Sequence, residues 1–198
     1  MTQHYIFGFG SLIDTRSRRR TTPLAHTAYP AIINGLGRGW WIHGLSGWAI
    51  TWLAVQFEAD AWCNGVIYPV TTRELQHTDW RERGYKRAQV PAEAITMLAG
   101  EQPDGPVWTY TAPVRALPRA GKPIWQSYVD MCLRGCMEVE QRYPTTKGFS
   151  AQFIETTQGW SNNWVDNRAG RKTDGVMPVG AIRQALHTHL PTGVNPPI

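Results

Sequence analysis

Cysteine is scarce: Cys63, Cys132 and Cys136 are the only three in 198 residues. An odd, small count gives no disulfide framework and points to a reducing compartment. No C-x-x-C and no H-E-x-x-H occurs, and the HTH at His187–His189 stands isolated, so no metal site is expected. No apolar run approaches the length of a membrane span. The N-terminal MTQHYIFGFG lacks the basic and apolar regions of an export signal. A cytoplasmic protein without a membrane partner is the expectation. Internal repeats and low-complexity segments are also missing, which argues against a solenoid or a disordered tail.

What is present suits one globular domain with a sizeable core. The hydrophobic share is 42% and the charged share 18%. Tryptophan is abundant, with ten copies. Each buries a large ring yet keeps an N–H that needs a partner, which suits a packed core with polar-rimmed pockets. Net charge is +5 and the sequence pI about 9.3. Four arginines, Arg16, Arg18, Arg19 and Arg20, crowd one short stretch. Such a run suits nucleic acid or an anionic ligand. Without an aromatic platform or zinc-finger spacing beside it, a solvated loop is the preferred account, and nucleic acid is not the expected partner.

Strand patterns come first along the chain. Tyr5–Phe9, Ala31–Asn34, Ala49–Phe57 and Asn64–Val70 read as strands, the second followed by interruptions at Gly35, Gly37 and Gly39. A helix is expected from Thr71 or Thr72 to Gly84, because Thr71 and Glu74 have capping-box spacing. Tyr85–Val90 and Val107–Tyr110 are further strands. Beyond Pro118 the apolar spacing turns helical, with a stripe at Ile124, Tyr128, Cys132 and Cys136 that Pro144 ends. Another short helix is expected over Phe149–Thr157, and a loose tail at TGVNPPI. Strands followed by helices indicate an α+β domain.

The stretch YIFGFGSL, Tyr5–Leu12, carries the first chemical signal. A strand that runs into G-x-G-S exposes backbone N–H groups where no side chain blocks approach, which makes an anion-binding concavity. A dinucleotide loop needs a third glycine where Ile13 stands, and no Walker lysine follows.

FGFGSLI resembles the FGYGSL or YGSNL loop of gamma-glutamylcyclotransferase-like proteins, including the ChaC-type branch. Gly65–Val90, GVIYPVTTRELQHTDWRERGYKRAQV, is similar to the strand–helix–strand segment of that family, and GRGWWIHG to the segment ahead of its second barrel strand. These matches span roughly the first ninety residues in the family's order. The resemblance implies a small mixed β-barrel flanked by helices. Residues 1–118 would form the barrel core, and 119–198 a helical C-terminal extension packed on the same domain. It places Gly8, Phe9, Gly10, Ser11 and Leu12 on the substrate-binding loop and Glu82 on the family's acid/base glutamate. Phe9 departs from the family's usual tyrosine.

The implied reaction cyclises a gamma-glutamyl compound to 5-oxoproline and releases an amine. The nucleophile is the substrate's own α-amine, so proximity is supplied within the substrate and no serine, cysteine, metal or cofactor is called for. A base is needed, because the α-amine is largely protonated at neutral pH. Burial of Glu82 against Trp80, Tyr85 and the barrel wall would raise its pKa to suit that role. Arg81 and Arg83 are expected to face elsewhere, since helical neighbours diverge by about 100°. Amides of Gly10, Ser11 and Leu12 would bind the substrate carboxylate or the developing oxyanion. Ser11 has no visible base and reads as an orienting residue, not a nucleophile. Tyr85 either contacts substrate or ends the helix, and Glu74 reads as a helix-start residue. A non-catalytic small-molecule binder on the same scaffold is the alternative.

Overall fold

The computed structural model describes residues 3–25, 27–45, 47–169 and 177–197. Strand β1 (His4–Gly8) opens the chain, followed by the short helix α1 (Thr15–Arg19). Two long strands, β2 (Tyr29–His43) and β3 (Thr51–Val70), form an antiparallel pair. Helix α2 (Thr72–Arg81) leads to β4 (Lys86–Val90), β5 (Ile95–Met97) and β6 (Val107–Thr111). Next come β7 (Ile124–Trp125), α3 (Gln126–Arg142), α4 (Phe149–Thr156), β8 (Thr157–Gln158), β9 (Trp164–Val165) and α5 (Val179–His189).

The main sheet runs β4-β6-β1-β3-β2-β5, with β8 added alongside β2. Its curvature comes from the length of β3. The C-terminal half pairs with β1 through His4↔Val70 to Gly8↔Val66, and β1 lies parallel to β6. The N-terminal half then meets β6 again at Val55↔Thr111, where the Ala112 N–H donates to the Val55 carbonyl at 2.9 Å. One bent strand therefore touches both ends of the same ribbon, and the sheet curls into the barrel-like form the resemblance implied. Register shifts between Asn34 and Leu36, and between Trp40 and Ile42, are the bulges that let so long a ribbon bend.

The separate strands read at Ala49–Phe57 and Asn64–Val70 are thus one strand, and β2 continues through its glycines. Gly37 and Gly39 sit inside β2, where a Cβ would collide with Glu58 Oε2 at 2.5 Å and with the Trp41 ring at 2.2 Å. These glycines serve close packing within the strand and do not interrupt it.

Helix α2 begins with the expected capping box: the Glu74 N–H donates to Thr71 Oγ1 at 3.2 Å, and the Thr71 N–H to Glu74 Oε2 at 2.9 Å. The other Glu74 oxygen accepts from the Leu24 N–H, so this carboxylate is structural. Helix α3 buries Val129, Cys132, Leu133 and Cys136 in the same core as Ile6, Phe7, Val66 and Tyr68 of the barrel. The core therefore crosses the 118/119 boundary. Helix α5 has no counterpart in the sequence reading. The tail is tied down, with the Asn195 N–H donating to Asn162 Oδ1 and Asn162 Nδ2 to the Gly193 carbonyl.

Candidate active site

The chain leaves β1 through Gly8–Phe9–Gly10 and turns at once, with the Ile13 N–H donating to the Gly10 carbonyl at 2.9 Å. Neither glycine adopts a positive φ, so backbone freedom is not why glycine stands here. Close approach is the reason instead. A Cβ on Gly8 would lie 2.7 Å from Leu12 Cβ, and one on Gly10 would lie 3.1 Å from the Tyr128 hydroxyl.

Two buried arginines hold the loop by its carbonyls. Arg38, fully enclosed, donates from Nη1 to the carbonyls of Phe9 (3.2 Å) and Asn64 (2.7 Å). Its other nitrogens reach Asn64 Oδ1, Phe153 O, Thr156 Oγ1 and Thr157 Oγ1 at 2.8–3.0 Å. Arg18 donates from Nη1 to the carbonyls of Leu12 and Ile13, both at 3.0 Å. Arg16, Arg19 and Arg20 are exposed, as a solvated run would be, but Arg18 is only 2% exposed. That corrects the solvated-loop reading for this residue: its fork faces inward and fills acceptors that the tight turn leaves open.

Glu82 is the residue that caps α2, with φ −93° and ψ 26°, and its side chain is 17% exposed. It lines a small cavity of about 30 Å³ together with Phe9, Gly10, Ser11, Leu12, Leu53, Tyr85, Tyr110 and Tyr128. Burial raises the Glu82 pKa, and the neighbouring Arg81 opposes that rise without cancelling it. Trp80 plays no part in the burial, being 73% exposed; Tyr128 stands there instead. Arg81 also departs from expectation. Its Nε lies 3.1 Å from Glu82 Oε1, while Nη1 and Nη2 reach Thr21, Ser17 and Ser11. The helical divergence of neighbours fails because Glu82 has already left helical geometry. Arg83 does turn away and lies over the Trp80 ring.

The phenols around this cavity differ in their bonding. Tyr85 donates to the Leu53 carbonyl at 2.8 Å, and Tyr110 to Asp79 Oδ1 at 2.9 Å. Tyr128 is positioned by α3, with its ring edge against Trp52 at 4.8 Å and Trp40 at 5.9 Å. Its hydroxyl interacts with the side chain and backbone of Ser11. Phe9 contributes no hydroxyl, and Tyr128 brings one to the same cavity from the C-terminal region. Sequence reading placed Tyr128 on the apolar stripe of a helix and so missed it. A phenol among thiols and aliphatics on that stripe was the available signal.

The structure therefore brings Gly10, Ser11, Leu12, Phe9, Glu82 and Tyr85 to one cavity, with Gly8 packed just behind the loop. Ser11, Glu82, Tyr85 and Tyr128 also line a larger, outward cavity of about 510 Å³. Among the described residues, no group of three or more His, Cys, Asp and Glu side chains is placed to hold a metal ion. No helix among them is long and apolar enough to cross a membrane.

No family model and no curated protein matches the sequence. Solved structures do match the fold. A structure described as a gamma-glutamyl cyclotransferase superposes with a TM-score of 0.60 at 12% identity, covering 94% of this chain and 99% of that one. An uncharacterized Homo sapiens protein gives 0.59 at 12% identity, with 94% and 99% covered. YkqA from Bacillus subtilis gives 0.54 at 16%, covering 74% of this chain and 53% of that longer one. The chain has the gamma-glutamyl cyclotransferase-like fold.

Proposed function

We propose that the protein cyclises a gamma-glutamyl compound to 5-oxoproline, with release of an amine or amino acid. The observation that carries this reading is the meeting of a buried carboxyl, Glu82, with the 9–12 turn in one small cavity. The fold adds weight, since solved structures of this shape include a gamma-glutamyl cyclotransferase.

In the proposed reaction, the substrate's glutamyl portion lies at the opening of the inner cavity, against Glu82 and the 9–12 turn, and the amine to be released points outward. The carboxylate of Glu82 takes a proton from the α-ammonium. The freed amine attacks the γ-carbonyl carbon, forming the lactam C–N bond. Glu82 then returns the proton to the departing nitrogen as the original amide bond breaks, and the second proton of the attacking nitrogen passes to the released amine, which leaves as an ammonium. A raised pKa suits both halves of this exchange, because a stronger base is also a competent acid near neutrality. Main-chain amides of Gly10–Leu12 bind the substrate carboxylate or the carbonyl oxygen as charge develops. Phe9 and Tyr85 shape the walls, and Gly8 lets the loop pack closely behind them. Arg81 steers Glu82 and ties it to Ser11, which orients the loop and is not a nucleophile.

The test is to incubate the protein with gamma-glutamyl dipeptides, gamma-glutamyl amines and glutathione and to measure 5-oxoproline. Glu82→Gln keeps the shape and removes the base; the expected loss of turnover is about 10²- to 10⁴-fold. Equal turnover by the variant would remove Glu82 from the reaction.

A further inference from the structure

The outward cavity that shares Ser11, Glu82, Tyr85 and Tyr128 with the inner one is walled mainly by apolar side chains. Ile42, Leu45, Trp48, Trp52, Pro113, Val114 and Ala116 all line it. Three of these, Leu45, Trp48 and Val114, are 55%, 52% and 64% exposed, a large solvent-facing apolar surface to leave uncovered at the mouth of a cavity.

The wall is built, not left loose. Trp48, Trp52 and Trp125 form a cluster with ring centroids 6.1–6.5 Å apart. Lys122 Nζ donates to the carbonyls of Gly44 and Trp48, both at 2.8 Å, and the Trp48 N–H donates to the Leu45 carbonyl. His43, also on this wall, bonds to the Leu117 carbonyl through Nε2. The loop that carries Leu45 and Trp48 is therefore anchored at its ends before any ligand arrives.

Charge around the cavity is uneven. Its charged side chains are Arg81, Glu82 and Arg83, and Glu82 already faces Arg81. Among the described residues no second carboxylate lines it to receive a cation, while Arg83, which also lines it with its guanidinium over the Trp80 ring, suits an anion.

We infer that the group released by this site is a large apolar amino acid: the preferred substrates are gamma-glutamyl dipeptides whose second residue is phenylalanine, tryptophan or leucine. The inference rests on the proposed reaction for the orientation of substrate, with the amine side outward. The second residue's side chain lies against Trp48, Trp52 and Val114, and its α-carboxylate lies at the mouth beside Arg83. A cavity of about 510 Å³ has room for an aromatic side chain, and a small residue would leave the apolar walls wet.

Binding can be measured apart from turnover by calorimetry on Glu82→Gln protein, with gamma-glutamyl-phenylalanine, -alanine and -lysine as probes. The phenylalanine dipeptide is expected to bind at least about tenfold tighter than either other, from burial of the ring alone. Trp48→Ala should bring the phenylalanine-to-alanine ratio down toward one. Leu45→Ala serves the same purpose should the tryptophan variant not fold. Equal affinity for phenylalanine and alanine dipeptides, preference for lysine, or no binding of any would overturn the inference. Turnover by wild type without that preference would leave the reaction standing and remove only the specificity. Tenfold preference in binding without 5-oxoproline would do the reverse.

Discussion

Replacing Arg38 tests whether the loop is held from behind. Arg38→Met keeps much of the stem volume but removes all six hydrogen bonds of the guanidinium. The two threonine hydroxyls keep other acceptors, Gln152 O and Phe153 O, and lose little. The carbonyls of Phe9, Asn64 and Phe153 and Asn64 Oδ1 lose a charge-assisted donor in a site closed to water. At roughly 1–3 kcal/mol for each buried acceptor left short, the gross cost is several kcal/mol. An opposing term exists. The hydrogen-bond partners of Arg38 include no carboxylate, and burial already lowers its pKa, so removing the charge relieves a desolvation cost. A net loss of about 3 kcal/mol is expected, which is a urea midpoint lower by about 1.5 M for a slope near 2 kcal/mol/M. Arg38→Lys should lose most of the same stability, because an ammonium cannot reproduce a fork that reaches from Phe9 to Thr157. Urea melts followed by far-UV circular dichroism give both numbers. A midpoint shift under about 0.5 M for methionine, or wild-type stability for lysine, would refute the reasoning.

Other expectations can be checked with the same protein. Because burial raises the Glu82 pKa, the acid limb of kcat/KM should lie above the ordinary glutamate value of about 4.3 and vanish from any residual activity of Glu82→Gln. The sign for stability follows from the same shift. A carboxyl raised in the folded state contributes stability that is fully present below about pH 4.3 and lost as pH rises through the folded value. Glu82→Gln should thus melt at or above the wild-type temperature at pH 7, and this advantage should disappear in acid. Gly8→Ala should cost about 1–3 kcal/mol, because its Cβ meets Leu12 Cβ at 2.7 Å, and should lower turnover by shifting the loop. Gly84→Ala meets nothing within 4 Å and has no positive φ, so it should be neutral or stabilising by up to about 1 kcal/mol. The three thiols are fully buried, with burial pushing Cys63 up to about 11, so a thiol reagent at pH 8 should label none until urea unfolds the chain.

Local chemistry made much of this protein legible in its sequence. The capping box at Thr71 and Glu74, the apolar stripe of α3 from Tyr128 onward and its stop before Pro144 each depend on neighbours within a turn or two and stand where the spacing put them. Ile124, expected on the same stripe, falls instead on β7 ahead of the helix. The ordered resemblance at YIFGFGSL and WRERGY likewise marked the two segments that meet at the inner cavity. Long-range geometry was not legible. That β3 is one bent strand closing the ribbon depends on pairing Val55 with Thr111, and nothing within either segment encodes the partner. Arg18 and Arg38 look like surface charge until the fold wraps carbonyls around them, and Tyr128 looks like core until α3 swings its hydroxyl over Gly10. Sequence by itself determined helices α2, α3 and α4 and the turn after β1, because these obey short-range rules of capping, periodicity and steric size. Helices α1 and α5 have no counterpart in the sequence reading, and Glu82 came from the resemblance. Only the tertiary structure decided which arginines are buried, which phenol faces the cavity and how apolar its outer walls are. Burial and distance belong to pairs of residues far apart in the chain, and they exist only once the barrel has curled.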